Sequence, residues 1–372
     1  MTTPRLFTPF SLGSLELPNR IVIAPMCQYS AQEGCATDWH LAHLGQLAMS
    51  GAGLLIIEAT AVEPVGRITP GCLGLWDDTT EAALARVLKA VRSMASMPIA
   101  LQIGHAGRKG SSGRPWEGGQ LIPLQEGGWI PVGPSALPHL DSETPPHALS
   151  ASELKALRDR FADTARRAAR LGIDAIEMHA AHGYLLHEFL SPIANQRTDA
   201  WGGDLQGRMR FPLEVFEAMR AAWPSDRPLG VRVSATDWVE GGWDIEQTVV
   251  FARELERRGC HWIDVSSGGV SPAQKIPLGP GYQVPLAARL RQEVAMPVMA
   301  VGLITEPAQA EDILQQGQAD LIALARGLLW NPRWPWHAAA ALGASVSVPQ
   351  QYWRSQPREL KDVFGSIRFG AR

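Results

Sequence analysis

Three hydrogen-bonding side chains leave one apolar segment together in the run His179-Ala180-Ala181-His182-Gly183-Tyr184, which follows Ala175-Ile176-Glu177-Met178. Two imidazoles three residues apart can donate to one carbonyl or nitro oxygen and stabilise the negative charge that develops there. The phenol can pass a proton to a neighbouring carbon. The same run also reads as two core histidines and a packing tyrosine, so its surroundings decide its meaning. In a repeating strand–helix architecture the carboxyl ends of strands are where reacting groups collect, and the run stands at such an end.

Apolar, β-branched segments recur at 20–26, 53–60, 98–104, 175–178, 228–234, 262–267, 297–302 and 321–326. Helical periodicity fills the intervals at 39–49, 81–94, 151–171, 207–222, 245–258, 285–294, 307–316 and 334–342. Eight strands, each followed by a helix, predict a (β/α)8 barrel over residues 1–372 in preference to an open doubly wound sheet. No Gly-x-Gly-x-x-Gly follows an early strand, which argues against a Rossmann dinucleotide domain. Leu6-Phe7 and Leu15-Glu16-Leu17 flank Leu12-Gly13-Ser14 and predict a short hairpin closing the bottom of the barrel. Residues 110–134 are rich in Gly and Pro, carry Trp116 and Trp129, and read as a lid or substrate loop.

The chain has 372 residues, 45% hydrophobic and 19% charged, with a formal net charge of −3. That balance fits a soluble globular protein and argues against nucleic acid as a partner. Cys27, Cys35, Cys72 and Cys260 show no paired or zinc-like spacing, consistent with a reducing compartment. No stretch approaches the ~18 uninterrupted apolar residues of a membrane span, and the first residues lack an apolar leader core. A cytoplasmic location with no membrane partner is expected.

The polar residues at the strand ends are Cys27, Thr60 beside Ala59, Gln102 with His105, the His179 run, Arg232, Ser266-Ser267, Gly302 and Arg326. This set looks poor in carboxylates, which disfavours a metal-dependent hydrolase or a glycosidase. Gly302 and Arg326 follow the seventh and eighth strands, where barrels commonly hold a phosphate; a tight turn and an ion pair at a helix start are the alternatives. Alternation along Gly230-Val231-Arg232-Val233-Ser234 turns Arg232 inward, and a buried arginine needs an anion. The N1 and C2 carbonyl edge of a reduced flavin is one, with Gln102 able to read the same edge. Cys27 is either an inert thiol or a group tuning a flavin at N5.

These residues resemble the old yellow enzyme family of FMN-dependent ene-reductases. The likeness runs from Arg20-Ile21-Val22-Ile23-Ala24-Pro25-Met26-Cys27-Gln28-Tyr29 through Gln102-Ile103-Gly104-His105-Ala106-Gly107-Arg108-Lys109 and the His179 run to Ala300-Val301-Gly302-Leu303-Ile304-Thr305. Cys27 and Tyr29 are similar to the thermophilic-like subgroup with its xenobiotic reductases. The resemblance implies a barrel with FMN at its carboxyl face, held by Ala24, Pro25, Met26, Cys27, Ala59, Gln102, Arg232, Gly302, Ala325 and Arg326. It implies His179 and His182 as ligands of the substrate oxygen, Tyr184 as proton donor and Tyr29 as a pocket wall. NADPH or NADH would be the reductant and an electrophilic alkene the substrate.

In the subgroup a tail arginine enters the neighbouring subunit's site. Arg354, in Gln351-Tyr352-Trp353-Arg354, matches that position, so the tail 346–372 implies a homodimer or a homotetramer built from dimers. The barrel itself does not require the tail, whose other reading is a frayed terminus. Trp201 replaces the family's usual tyrosine and Gly207 its common Asn, changes that bear on loop rigidity. Val301 stands where xenobiotic reductases place a tryptophan. Two rivals remain: a metal-dependent hydrolase using His40, His105, His179 and His182, and a flavin-binding sensor without turnover.

Overall fold

A computed structural model describes residues 3–367. Two strands, β1 (Phe10–Leu12) and β2 (Leu15–Leu17), form the expected hairpin, with Phe10 opposite Leu17. The chain then alternates: β3 (Ile21–Ile23), α1 (Asp38–Ala48), β4 (Leu54–Ala61), α2 (Asp78–Met94) and β5 (Ile99–Gly104). A small parallel pair, β6 (Val132–Gly133) and β7 (His147–Ala148), interrupts before α3 (Ala151–Arg170) and β8 (Ala175–Ala180). The second half runs α4 (Leu185–Leu190), α5 (Leu205–Ala222), β9 (Leu229–Ser234), α6 (Ile245–Arg257), β10 (Ile263–Ser266), α7 (Val284–Arg291) and β11 (Val298–Val301). It ends with α8 (Pro307–Gln315), β12 (Leu321–Leu324), α9 (Arg326–Trp330) and α10 (Trp334–Leu342).

Strands β3, β4, β5, β8, β9, β10, β11 and β12 pair in parallel in that order, and β12 returns to β3 to close the barrel. The (β/α)8 expectation holds, with every predicted strand and helix segment represented. The sequence reading omits α4 and α9, which are too short to show helical periodicity.

Two apolar clusters follow from the closed sheet. The larger lies between the strands and the outer helices, whose apolar stripes include Leu84, Val87, Leu88 and Val91 on α2. The smaller fills the barrel itself with Val22, Ala24, Leu54, Ile56, Ala100, Ala175, Trp262, Met299, Val301, Leu321 and Ala323. Leu12 and Leu17 of the hairpin join that inner cluster and plug its lower end. Helix starts are set by side-chain caps: Asp77 accepts from the Thr80 N–H at 2.8 Å, Asp204 from Gly207 at 2.8 Å and Asp244 from Gln247 at 2.9 Å.

The C-terminal segment differs from a frayed terminus. Val346, Val348, Val363 and Phe364 are buried, the Val346 N–H donates to the Val363 carbonyl at 2.8 Å, and Trp336 of α10 stacks edgewise on Phe364 at 5.1 Å. Apolar residues this far past the last barrel helix gain by covering α10. Residues 368–372 of the 346–372 tail lie outside the described residues.

The 195–203 loop is pinned. Asn195 donates to the carbonyls of Phe189 and Trp201, both at 2.8 Å, and the Trp201 indole donates to Glu214 at 3.1 Å. Gly207 has its own local cause: a Cβ there would stand 2.0 Å from the Gly202 carbonyl oxygen, so the first turn of α5 can lie against the loop only without a side chain. Gly207→Ala raises intrinsic helix propensity by roughly 1 kcal/mol. It should nonetheless destabilise the protein, by about 1–3 kcal/mol, through this collision with backbone. The urea midpoint checks this; an unchanged or higher midpoint would mean that the turn relaxes freely.

Candidate active site

Parallel register places the functional side chains. Gln102 lies beside Glu177, His179 beside Arg232, and Arg232 beside Asp264, so strands β5, β8, β9 and β10 carry these residues side by side near their carboxyl ends. Gln102 donates its amide N–H to Glu177 Oε1 at 2.8 Å, and the Trp262 indole donates to Glu177 Oε2 at 3.1 Å. The Trp262 ring reaches that carboxylate across Gly230, where a Cβ would meet the indole at 2.0 Å. Arg232 Nε lies 3.1 Å from Asp264 Oδ2.

The expected shortage of carboxylates is therefore a shortage at the rim only. Glu58, Glu177, Glu188, Asp237 and Asp264 are all buried within or just behind the strand ends. Burial, with Asp264 nearby, pushes the Glu177 carboxyl up to about 7, and burial also raises that of Asp264. An acidic residue inside an otherwise apolar strand, on the same alternation as His179 or paired with Arg232, was the sequence signal for Glu177 and Asp264.

Above this layer stand His179 and His182. Burial, followed by the charge of Arg232, holds both imidazoles well below their ordinary 6.5, so both are neutral. His182 Nδ1 lies 3.4 Å from His179 Nε2, and His182 Nε2 lies 2.7 Å from the Ser266 hydroxyl. Both nitrogens of His182 are thus engaged, while His179 Nδ1 is buried without a partner. The spacing suggested two free donors converging on one oxygen; the resting arrangement leaves His179 Nδ1 open and holds His182 in reserve behind it. The Tyr184 ring stands edge-on to His179 at 5.2 Å. Burial, then the charges of Cys27 and Tyr29, keeps its phenol well above the usual 10 and therefore protonated.

The turn carrying these groups is strained and clamped. His182 has φ +62°, an uncommon conformation for a residue with a side chain. Its N–H donates to the Ser234 hydroxyl at 2.9 Å, and its carbonyl accepts from Lys109 Nζ at 2.9 Å. The next N–H, of Gly183, donates to His187 Nδ1 at 2.8 Å, and His187 Nε2 donates to Asp237 Oδ1 at 2.8 Å. Asp237 also accepts from Ser191 at 2.6 Å and from the Trp243 N–H at 2.7 Å. Lys109, His187 and Asp237 had no place in the sequence-derived site. For Lys109 the signal was its position in the charged run after β5.

On the opposite rim, Ala24 ends the β3 segment and leads into Pro25, Met26, Cys27 and Tyr29, with Ala59 on neighbouring β4. The Gln28 N–H donates to Glu58 Oε2 at 3.1 Å, and His40 Nε2 lies 3.3 Å from Glu58 Oε1. Cys27 and Cys72 share a hydrogen bond, although no spacing pairs them in sequence; that bond and burial raise the Cys27 thiol well above its ordinary value. Ala59, Cys72, His179 and Tyr184 line one narrow cleft. From the 110–134 loop, Arg114 Nε donates to the Tyr29 carbonyl at 3.1 Å, and Trp116 meets the Tyr29 ring edge-on at 5.8 Å. That loop therefore packs against the Tyr29 segment that follows β3.

Gly302 follows β11 with φ +112°, Ala325 follows β12, and Arg326 is exposed at the start of α9. Arg354 is exposed on the six-residue 3-10 turn Gln350–Ser355. His40 and His105 do not join the histidine pair. His40 accepts from the Thr37 N–H at 3.0 Å, and His105 bridges Glu63 at 3.1 Å and the Gly107 N–H at 3.0 Å. Among the described residues no group of three or more His, Cys, Asp or Glu is placed to hold a metal ion. No helix among them is long and apolar enough to cross a membrane.

The donor set fits FMN. Arg232 Nε lacks an aligned hydrogen-bond partner despite burial, Gln102 is held by Glu177, and Gly302 and Arg326 stand at the rim on the seventh and eighth strand ends. The family model described as NADH:flavin oxidoreductase / NADH oxidase matches residues 5–344. An NADPH dehydrogenase of Geobacillus thermodenitrificans is 42% identical over 351 residues, covering 94% of this chain and 98% of that one. Morphinone reductase superposes with a TM-score of 0.75 at 30% identity, over 93% of this chain and 91% of the other. A 2-naphthoyl-CoA reductase superposes with a TM-score of 0.82 at 25% identity, where this chain spans 52% of the longer protein. The chain belongs to the NADH:flavin oxidoreductase / NADH oxidase family and is an FMN-dependent oxidoreductase with a nicotinamide reductant.

Proposed function

We propose that this protein reduces activated C=C bonds of α,β-unsaturated carbonyl and nitro compounds. The observation that carries this reading is the partnerless, buried Nδ1 of His179 beside His182 and Tyr184: donors and a protonated phenol, with no nucleophile or rim carboxylate among them. Ala24, Pro25, Met26, Cys27, Ala59, Gln102, Arg232, Gly302, Ala325 and Arg326 would hold FMN. Bound there, FMN supplies hydride chemistry, drawn from NADPH or NADH and directed to the β-carbon of the alkene. His179, backed by His182, donates to the substrate oxygen and stabilises the charge that gathers on it. Tyr184 then delivers a proton to the α-carbon, and Tyr29 with Trp116 covers the pocket. A homodimer, alone or paired into a tetramer, in which Arg354 reaches a neighbouring site completes the reading.

The first test is the absorption spectrum of the purified protein titrated with p-hydroxybenzaldehyde. A flavin band with a long-wavelength charge-transfer shoulder is expected, because neutral imidazole donors beside His179 Nδ1 favour the phenolate. A colourless protein that cannot be reconstituted with FMN, or one that binds phenol yet never oxidises NADPH, would sink the reading.

His179→Ala should lower turnover of 2-cyclohexenone by ~10²–10³, the usual cost of one such donor, and abolish the shoulder. Tyr184→Phe should slow enone reduction while leaving flavin reduction by NADPH nearly intact. Since His179 and His182 are held neutral, kcat/KM should show no break at the ordinary histidine pKa of 6.5. A clear acid limb there that persists in Glu177→Gln, whose carboxyl is otherwise raised to about 7, would place a protonated imidazole in the working site.

A further inference from the structure

Among the described residues Lys109 is the cation bonded to the strained turn, and nothing above gives it a chemical task. Its ammonium donates to the carbonyls of His182 at 2.9 Å and Gly269 at 3.0 Å, and it stands over the Tyr184 ring, 5.1 Å from the centroid. The held atoms are neutral carbonyls rather than a carboxylate. Two carbonyls could be bridged by a neutral donor, so a largely buried charge here is an expense that hydrogen bonding alone does not explain.

We propose that Lys109 is a positioning residue for the proton-delivery step, fixing the His182 turn through its carbonyl and stabilising, through the face of the ring, the phenolate that Tyr184 becomes. This rests on the reading of Tyr184 as proton donor. In that step a C–H bond forms at the α-carbon while the Tyr184 O–H bond breaks. The electron pair stays on the phenolic oxygen until solvent returns a proton. A cation attracts a neutral phenol ring weakly and a phenolate strongly, so Lys109 favours the state after transfer over the state before it.

Burial lowers the Lys109 ammonium to about 8; Glu188 on α4 and Glu143 in the loop before β7 favour its charge, and Arg108 opposes it. Tyr184, raised well above 10, and the neutral His179 and His182 do not titrate in that window, whereas burial raises the Glu188 carboxyl to about 8 as well. The cation is present below pH 8 and is lost as pH rises through it. The alkaline limb of enone reduction should therefore break near 8.

The test is anaerobic stopped-flow on the FMN-loaded enzyme between pH 6 and 10. It follows reduction by NADPH and reoxidation by 2-cyclohexenone separately, for wild type, Lys109→Met, Lys109→Arg and Tyr184→Phe, with p-hydroxybenzaldehyde affinity measured alongside. Lys109→Met should slow reoxidation by ~10- to 100-fold, within the range of general-acid contributions. It should lose the break near 8 and reduce with NADPH within about threefold of wild type. Lys109→Arg should recover much of the rate and carry no break below pH 10, since arginine keeps its charge.

A break near 8 that survives in either variant when it also carries Glu188→Gln, which removes the other group titrating there, overturns the proposal, and the arginine profile decides the matter if the methionine variant does not fold. Equal slowing of both half-reactions in both variants, with lost phenol binding, would reduce Lys109 to packing. If Tyr184→Phe reoxidises at the wild-type rate, the proton-donor reading fails. If it slows while Lys109→Met does not, only the role of Lys109 fails.

Discussion

The site depends first on a charge that cannot leave the barrel. Arg232 points inward from β9 and is buried beside Asp264, with Glu177 on the next strand also fully buried. Removing one member of such a set would strand its partners, which typically costs about 3–5 kcal/mol. The set is therefore maintained as a unit. Because the strands are parallel and in register, that unit also fixes what lies next to it. Glu177 holds one N–H of Gln102, and burial, seconded by the charge of Arg232, keeps His179 and His182 neutral. A structural need, matching a buried guanidinium, thereby adds to what burial does to the protonation state of the histidine pair.

A second constraint is local. The chain must turn sharply after β8 for His179, His182 and Tyr184 to share one corner, and it does so with His182 in the left-handed region. Such strain persists only where neighbours over-determine it. Here the fixing bonds come from three separate elements: Ser234 at the end of β9, Lys109 after β5, and His187 on α4 with Asp237 behind it. None of these bonds involves the His179 or His182 ring, so the backbone is fixed without occupying His179 Nδ1. Helix α4 is only six residues long, but its first turn brings His187 back under Gly183.

How much of this is legible in the sequence follows the same division. Periodicity located all eight barrel strands and their helices because each strand is buried on both faces and each long helix on one. The polar residues at strand ends were legible because alternation and the strand boundary suffice to place them. The inner acids were not. Glu177 and Asp264 sit inside apolar runs, where composition reads them as strand interior, and only the barrel register brings them to Gln102 and Arg232. Cys27 and Cys72 meet through two rim loops that no spacing connects. His187 lies just past the His179–Tyr184 run and was not legible as a support, since its partner Asp237 lies 50 positions away.

The two layers differ in electrostatic character, and the difference bears on how the site works. Below, charged groups compensate one another in a medium where a lone charge would be prohibitive. Above, the groups that face substrate are neutral: two imidazoles, a phenol and a thiol, each held by its surroundings in its uncharged form. In the proposed reaction, a neutral donor set would bind a neutral enone without first shedding a counter-ion. It gains most when charge appears on the substrate oxygen, so the interaction grows along the reaction rather than at binding. Lys109 is the charged exception beside this set: it stands over the Tyr184 ring, and under the proposal its charge takes full effect only once that ring has given up its proton.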